Sequence, residues 1–154
     1  EDNSFDIIIT TDSFHEMNPN IQSNVLSEMM RVSNLIIFIE PDEVSVTNEL
    51  FKVFDPNENH SLRIKNSMDL AFTTMKNNNY KLIEKSFYDD KTTFSNKKEM
   101  CETLLDWWSD IKIPANDSEK KQMIDEIERI LIEFDMLDKL EVFETIHYYV
   151  FERK

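Results

Sequence analysis

Residues able to carry chemistry are few and scattered along the 154-residue chain. Asp12 stands three residues before His15 in the polar run Thr11-Asp12-Ser13-Phe14-His15-Glu16. A carboxylate can orient a hydroxyl or an amine, and an imidazole titrates near neutral pH and can take a proton. The plainer alternative is a turn capped by Asp12 or Ser13, with His15 in solvent. Glu40-Pro41-Asp42 sets two carboxylates beside a proline, a pair able to hold a cation or an amine. Its alternative is a strand stopped by proline and followed by a helix-capping Asp42. His15, His60 and His147 are widely separated and no His-x-x-x-His or Cys pair occurs, so no metal site is expected. Cys101 lies beside the apolar positions Met100 and Leu104 and reads as a buried thiol rather than a nucleophile. Trp107-Trp108, with Phe94, Leu104 and Leu105, could line an acceptor pocket or, at helical spacing, pack a core.

These residues must be positioned by elements that the apolar pattern predicts. Phe5 to Thr10 is a short β-branched run without alternation, expected of a strand buried on both faces. Ile21, Val25 and Met29 recur at intervals of four, widened by Leu26 and Met30. They predict a helix over about 20–32, capped by Asn18 with Pro19 at its first position. Leu35 to Glu40 is a second apolar strand ended by Pro41. Strand, loop, helix and strand in about 35 residues form a βαβ unit, hence a parallel pair. Its first loop leaves the carboxyl end of a parallel strand, where open α/β sheets bind ligands. Helices follow at 44–54 and around Ile64–Met75, then a strand at 80–88. Two more helices, over about 95–111 and 117–134 with Ser95 and Asp117 or Ser118 as caps, lead to an alternating last strand, 142–151. The order β-α-β-α-α-β-α-α-β predicts an α/β three-layer sandwich with a helical pair, about 94–139, inserted before the last strand.

Composition narrows the function. Asp and Glu number 31 against 17 Lys and Arg, a net charge of −14. That disfavours nucleic-acid binding and docking on an anionic membrane, and no apolar run is long enough to span one. A single cysteine fits a reducing, cytoplasmic setting. The chain has no glycine, so no Gly-rich phosphate or dinucleotide loop lies within these residues. It opens on Glu1, four residues before an apolar run, as expected of the later part of a longer protein or of a trimmed chain.

Several ordered stretches are familiar. Phe5-Asp6-Ile7-Ile8-Ile9 with Asp12-Ser13-Phe14-His15-Glu16 resembles the fourth strand and following loop of class I S-adenosylmethionine-dependent methyltransferases. Leu26 through Met30-Arg31-Val32, then Leu35-Ile36-Ile37-Phe38-Ile39-Glu40-Pro41, resembles their next helix and fifth strand. Lys81-Leu82-Ile83 is similar to the sixth strand, and His147 through Lys154 to the closing antiparallel strand. The resemblance covers the second half of that Rossmann-like domain. The family's first three strands, its Gly-rich loop and the acidic residue after its second strand have no counterpart here. Ser33-Asn34 replaces a glycine-containing turn.

The resemblance implies a single partial domain over 1–154 and an S-adenosylmethionine-dependent methyltransferase acting on a small-molecule acceptor. It implies that Thr11 and Phe14 face the cofactor, that Asp12 and His15 act on the acceptor, and that Glu40 and Trp108 border it. A second reading is a non-catalytic methyltransferase-like module that binds a partner protein. The first strand would be central in the complete family sheet, so here it is expected to leave an edge completed by missing chain, a partner chain or a second copy.

Overall fold

The computed structural model describes residues 2–154. Its elements are β1 (Ile8–Thr11), α1 (Pro19–Val32), β2 (Leu35–Pro41), α2 (Val46–Phe54), α3 (His60–Asn77), β3 (Tyr80–Thr93), α4 (Lys97–Trp107), α5 (Asp117–Glu133) and β4 (Glu141–Arg153). The strands form one mixed sheet in the order β1-β2-β4-β3. β1 and β2 run parallel, with Ile8 opposite Ile36 and Thr11 opposite Ile39. β4 runs antiparallel to β2, with Leu35 opposite Glu152 and Pro41 opposite Ile146. Among the described residues the elements occur in the order that the sequence predicts.

The chain divides into two compact units. The first comprises the chain through Glu43, with Ser61–Tyr88 and Thr145–Lys154. In β2 the positions Ile36 and Phe38 are buried at a period of two, which marks one face. That face packs with Phe14, with Leu26, Met29 and Met30 of α1, with Met68, Ala71 and Met75 of α3, and with Phe151 of β4. Phe38 meets Phe14 and Phe151 edge-to-face, at 5.2 and 6.0 Å between ring centroids.

Two details of this unit differ from the expectation. β1 is shorter than expected and alternates, with Ile8 half-buried and Phe5, Ile7 and Ile9 exposed. It sits at the end of the sheet, and only the Ile8 face meets the core. The buried stripe of α1 centres on Gln22, Leu26, Met29 and Met30, leaving Ile21 exposed. Asn18 caps α1 as predicted, its side chain accepting from Asn20 N–H at 3.0 Å.

The second unit comprises Val44–His60 and Asp89–Glu144, so α2 joins the expected inserted pair α4 and α5. Its core brings Leu50 and Phe54 of α2 together with Leu104 and Leu105 of α4 and Ile127, Ile130 and Leu131 of α5. The caps fall one residue from those expected: Asn96 accepts from Glu99 N–H and Asn116 from Glu119 N–H, each at 3.0 Å. In each case the glutamate reaches back to the residue before the cap, Ser95 or Ala115, which completes a reciprocal cap.

Cys101 belongs to this core. Burial, with the charges of Glu128 and Glu102 behind it, pushes its thiol up to about 11. The thiolate is the reactive form, so Cys101 is expected to react with Ellman's reagent roughly 10²-fold more slowly than free cysteine. Rapid, stoichiometric labelling of the native protein would contradict this burial.

Candidate functional site

The parallel pairing of β1 and β2 sends both carboxyl ends to the same edge of the sheet. Asp12 N–H extends the pairing by donating to Ile39 O at 2.8 Å. Asp12 then turns the chain with φ 47, a left-handed value that Asp tolerates. The next residues dive inward: Phe14 and His15 are both buried. Gln22 fixes this descent from α1, donating to Phe14 O at 3.0 Å and to Ser67 Oγ at 2.8 Å.

Beneath the loop lies Glu40. It continues the Ile36 and Phe38 face by one more period of two, so β2 carries a carboxylate at a core position. Its Oε1 accepts Phe14 N–H at 3.0 Å and its Oε2 accepts His15 Nδ1–H. Both side chains are only 1% exposed. The other ring nitrogen, Nε2, lies 3.2 Å from Glu16 and 3.9 Å from Asp12. Burial by itself would lower the His15 pKa. The bond to Glu40 and the charges of Glu40, Glu16 and Asp12 outweigh it, and the net direction is upward. The arrangement is a buried histidine–carboxylate pair that ties the β1 loop to the end of β2.

Asp12, His15 and Glu40 each bring one possible ligand atom within 4.8 Å of the others. Both Glu40 oxygens already accept from Phe14 and His15, so these groups satisfy one another without an ion.

A second histidine–carboxylate pair adjoins the first. Register places His147 of β4 opposite Glu40 of β2, and cross-strand partners share a face. Asp42 N–H donates to Thr145 O at 2.9 Å, which carries the pairing beyond Pro41. The Asp42 side chain turns to His147 and accepts from Nε2–H at 2.9 Å. In the neutral ring this bond keeps the proton on Nε2 and leaves Nδ1 as the acceptor nitrogen. This Nδ1 is buried and has no hydrogen-bond partner among the described residues. Buried polar atoms in folded proteins are nearly always satisfied, so such an atom is a physical anomaly that needs a cause.

His147 borders a cavity of about 410 Å³ with Asp42, Tyr149, Lys85, Lys65 and Phe72 among its walls. His147 stacks on Tyr149 at 5.9 Å, and Lys85 Nζ lies 5.3 Å from the Tyr149 ring centroid. Burial, followed by the charges of Asp42, Glu43 and Glu40, raises the Tyr149 pKa, so the phenol stays protonated.

The residues singled out in the sequence thus part company. His15, Asp12 and Glu40 come together. Thr11 and Asp12 are exposed at the loop, but Phe14 is 0% exposed and packs in the core rather than on a ligand surface. Trp108 belongs to the second unit, where it meets Phe54 at 5.3 Å and Phe51 at 6.0 Å. The expectation that Asp42 caps a helix is replaced by its bond to His147; Ser45 caps α2.

The fold is shared with solved structures. A candidate methyltransferase of Bacillus halodurans C-125 matches 98% of this chain and 70% of its own, with a TM-score of 0.54 and 15% identity. The MccD protein matches 100% of this chain and 63% of its own, with a TM-score of 0.51 and 11% identity. No family model and no curated protein matches the sequence. At these identities the likeness establishes the architecture, a Rossmann-like methyltransferase fold, and this chain spans about two thirds of each of those proteins.

Proposed function

We propose that this chain forms the acceptor-binding side of an S-adenosylmethionine-dependent methyltransferase acting on a small molecule. The observation that carries the proposal is the His147–Asp42 pair at the wall of a cavity at the carboxyl edge of β2, with the buried Nδ1 of His147 left without a partner among the described residues. The methyltransferase fold gives that edge its meaning, since ligands of open α/β sheets gather there.

The described residues do not by themselves build a cradle for the cofactor. They contain no glycine for a close backbone approach, and Phe14 is sealed in the core. Of the loop, Thr11, Asp12 and Glu16 are exposed and can border such a molecule. The cofactor supplies an electrophilic methyl group when bound, and the role left to His147 and Asp42 is to prepare the acceptor.

An acceptor with an N–H or O–H group that displaces the wall over Nδ1 can satisfy it by donating to it. As the acceptor atom becomes nucleophilic, its proton passes to Nδ1, and the resulting imidazolium keeps its Nε2–H on the Asp42 carboxylate. This is general-base chemistry with an orienting carboxylate. His15 fits another role. Both of its nitrogens face carboxylates and its pKa is raised, so it anchors the loop with Glu40 rather than taking a proton.

The test uses the full-length protein. Calorimetric titration with S-adenosylmethionine should show saturable binding. Mass spectrometry should then find methylated product in a panel of small amines and phenols. Absence of both binding and transfer would overturn the reading.

A further inference from the structure

A second cavity, of about 500 Å³, opens on the same sheet face as the first. It lies at the other end of β2. The first borders Pro41, whereas this one borders Phe151 and Lys154, beside the Leu35 end. Those ends are six residue steps apart, roughly 20 Å at ~3.3 Å per residue. Phe72 is the wall common to both, edge-to-face with Tyr149 at 5.0 Å on one side and with Phe151 at 5.2 Å on the other.

The chemistry of this cavity is opposite to that of the protein. The chain carries a net charge of −14, yet no acidic side chain lines the cavity, and Lys76, Lys81 and Lys154 do. Six other lysines, among them Lys52, Lys97 and Lys139, stand against carboxylates. These three have no carboxylate partner among the described residues. They come from three different elements: the last turn of α3, the start of β3 and the residue after β4.

The local backbone explains why they converge. Asn79 adopts φ 64, a left-handed turn between α3 and β3. Its carbonyl accepts Lys154 N–H at 2.9 Å, which ties the end of β4 to that turn. A lysine in the last turn of a helix often serves the orphan carbonyls there. Here Asn78 does so instead, its backbone N–H reaching Thr74 O and Met75 O and its side chain donating to Thr74 O at 2.8 Å. The Lys76 ammonium remains available. The floor is aromatic and fixed: Phe151 is buried, and Tyr80 is buried with its hydroxyl donating to Ser33 O at 2.5 Å.

We propose that this cavity is a binding site for a small aromatic anion, a phosphate or carboxylate carried on a ring. The ring would lie against Phe72, Phe151 and Tyr80, and the anionic group would take charge-assisted hydrogen bonds from the three ammonium groups. The volume suits one ring-sized ligand rather than a polymer. The site is independent of the methyl-transfer reading, because none of its lysines borders the His147 cavity.

Phenyl phosphate is the probe. Titrated into isotopically labelled full-length protein, it should shift amide resonances at 76–82 and 151–154. Inorganic phosphate and phenol alone should each bind at least about tenfold more weakly, since each keeps only one half of the recognition. The double variant Lys76→Glu/Lys81→Glu, at exposed positions where folding is not at stake, should weaken phenyl phosphate by about tenfold or more. Lys76→Gln/Lys81→Gln should weaken it less. The proposal fails if millimolar phenyl phosphate leaves 76–82 unshifted. It fails equally if charge reversal leaves binding unchanged, or if inorganic phosphate binds as tightly as the aryl ester.

Discussion

Glu40→Ala is expected to lower the unfolding free energy by roughly 3–5 kcal/mol, because it leaves the buried His15 ring without its carboxylate partner. The Phe14 N–H would lose its acceptor in the same stroke. For a chain of this size that corresponds to a fall in Tm of roughly 10 °C. Glu40→Gln is the informative companion. Its amide oxygen can still accept Phe14 N–H, but its NH2 group faces His15 Nδ1 and requires the neutral ring. The pH dependence separates the two effects. The folded-state pKa of His15 lies above the ordinary 6.5. Its pairing therefore contributes fully below about pH 6.5 and is lost as pH rises through the raised value. Denaturant melts of the wild type should show stability falling with increasing pH above about 6.5, and the Glu40→Gln curve should be flatter. A wild-type stability that does not change between about pH 6 and 9, or a cost below about 1 kcal/mol for Glu40→Ala, would show that the pair is not charged in the fold.

How much of this was legible in the sequence depends on how local the signal is. The βαβ unit, the Asn18-Pro19 start of α1 and the Leu35–Pro41 strand each rest on a few neighbouring residues, and all were readable. Glu40 was half readable. A carboxylate at the next period-two position after Ile36 and Phe38 signals a buried partner, but nothing local says that the partner is His15. Phe14 misled because an aromatic in a polar loop looks exposed, and only the inward turn after Asp12 hides it. Gln22 was missed because the apolar neighbour Ile21 draws the start of the stripe to itself, whereas the buried face at that turn is the polar Gln22. The burial of β1 was overstated for a physical reason: an apolar run reports what a strand could cover, not how many neighbours it has. The His147–Asp42 pair was not legible at all. It arises from the antiparallel register of β2 and β4, across 105 residues of sequence.

That register is also what makes the second large effect testable. His147→Gln is expected to reduce methyl transfer by about 10²–10⁴-fold, the range that a positioned base contributes. Glutamine fills much of the same space and can donate or accept a hydrogen bond, but it cannot hold the acceptor's proton. The loss should therefore fall on kcat, with KM for the acceptor changed little. Asp42→Asn probes the same chemistry through the tautomer. An amide can donate to Nε2, which moves the ring proton to Nδ1 and offers the acceptor a donor where it needs a lone pair. Its backbone N–H still reaches Thr145 O, so the β2–β4 pairing survives. A purely structural role for Asp42 would leave the ring tautomer unchanged. Nitrogen-15 spectra of the imidazole should show Nδ1 unprotonated in the wild type and protonated in Asp42→Asn, alongside a loss of transfer of about 10²-fold or more. Wild-type turnover in both variants would remove His147 from the chemistry and leave its buried Nδ1 without a catalytic reason. A switched tautomer with full activity would confine Asp42 to orienting the ring and place the proton acceptor elsewhere.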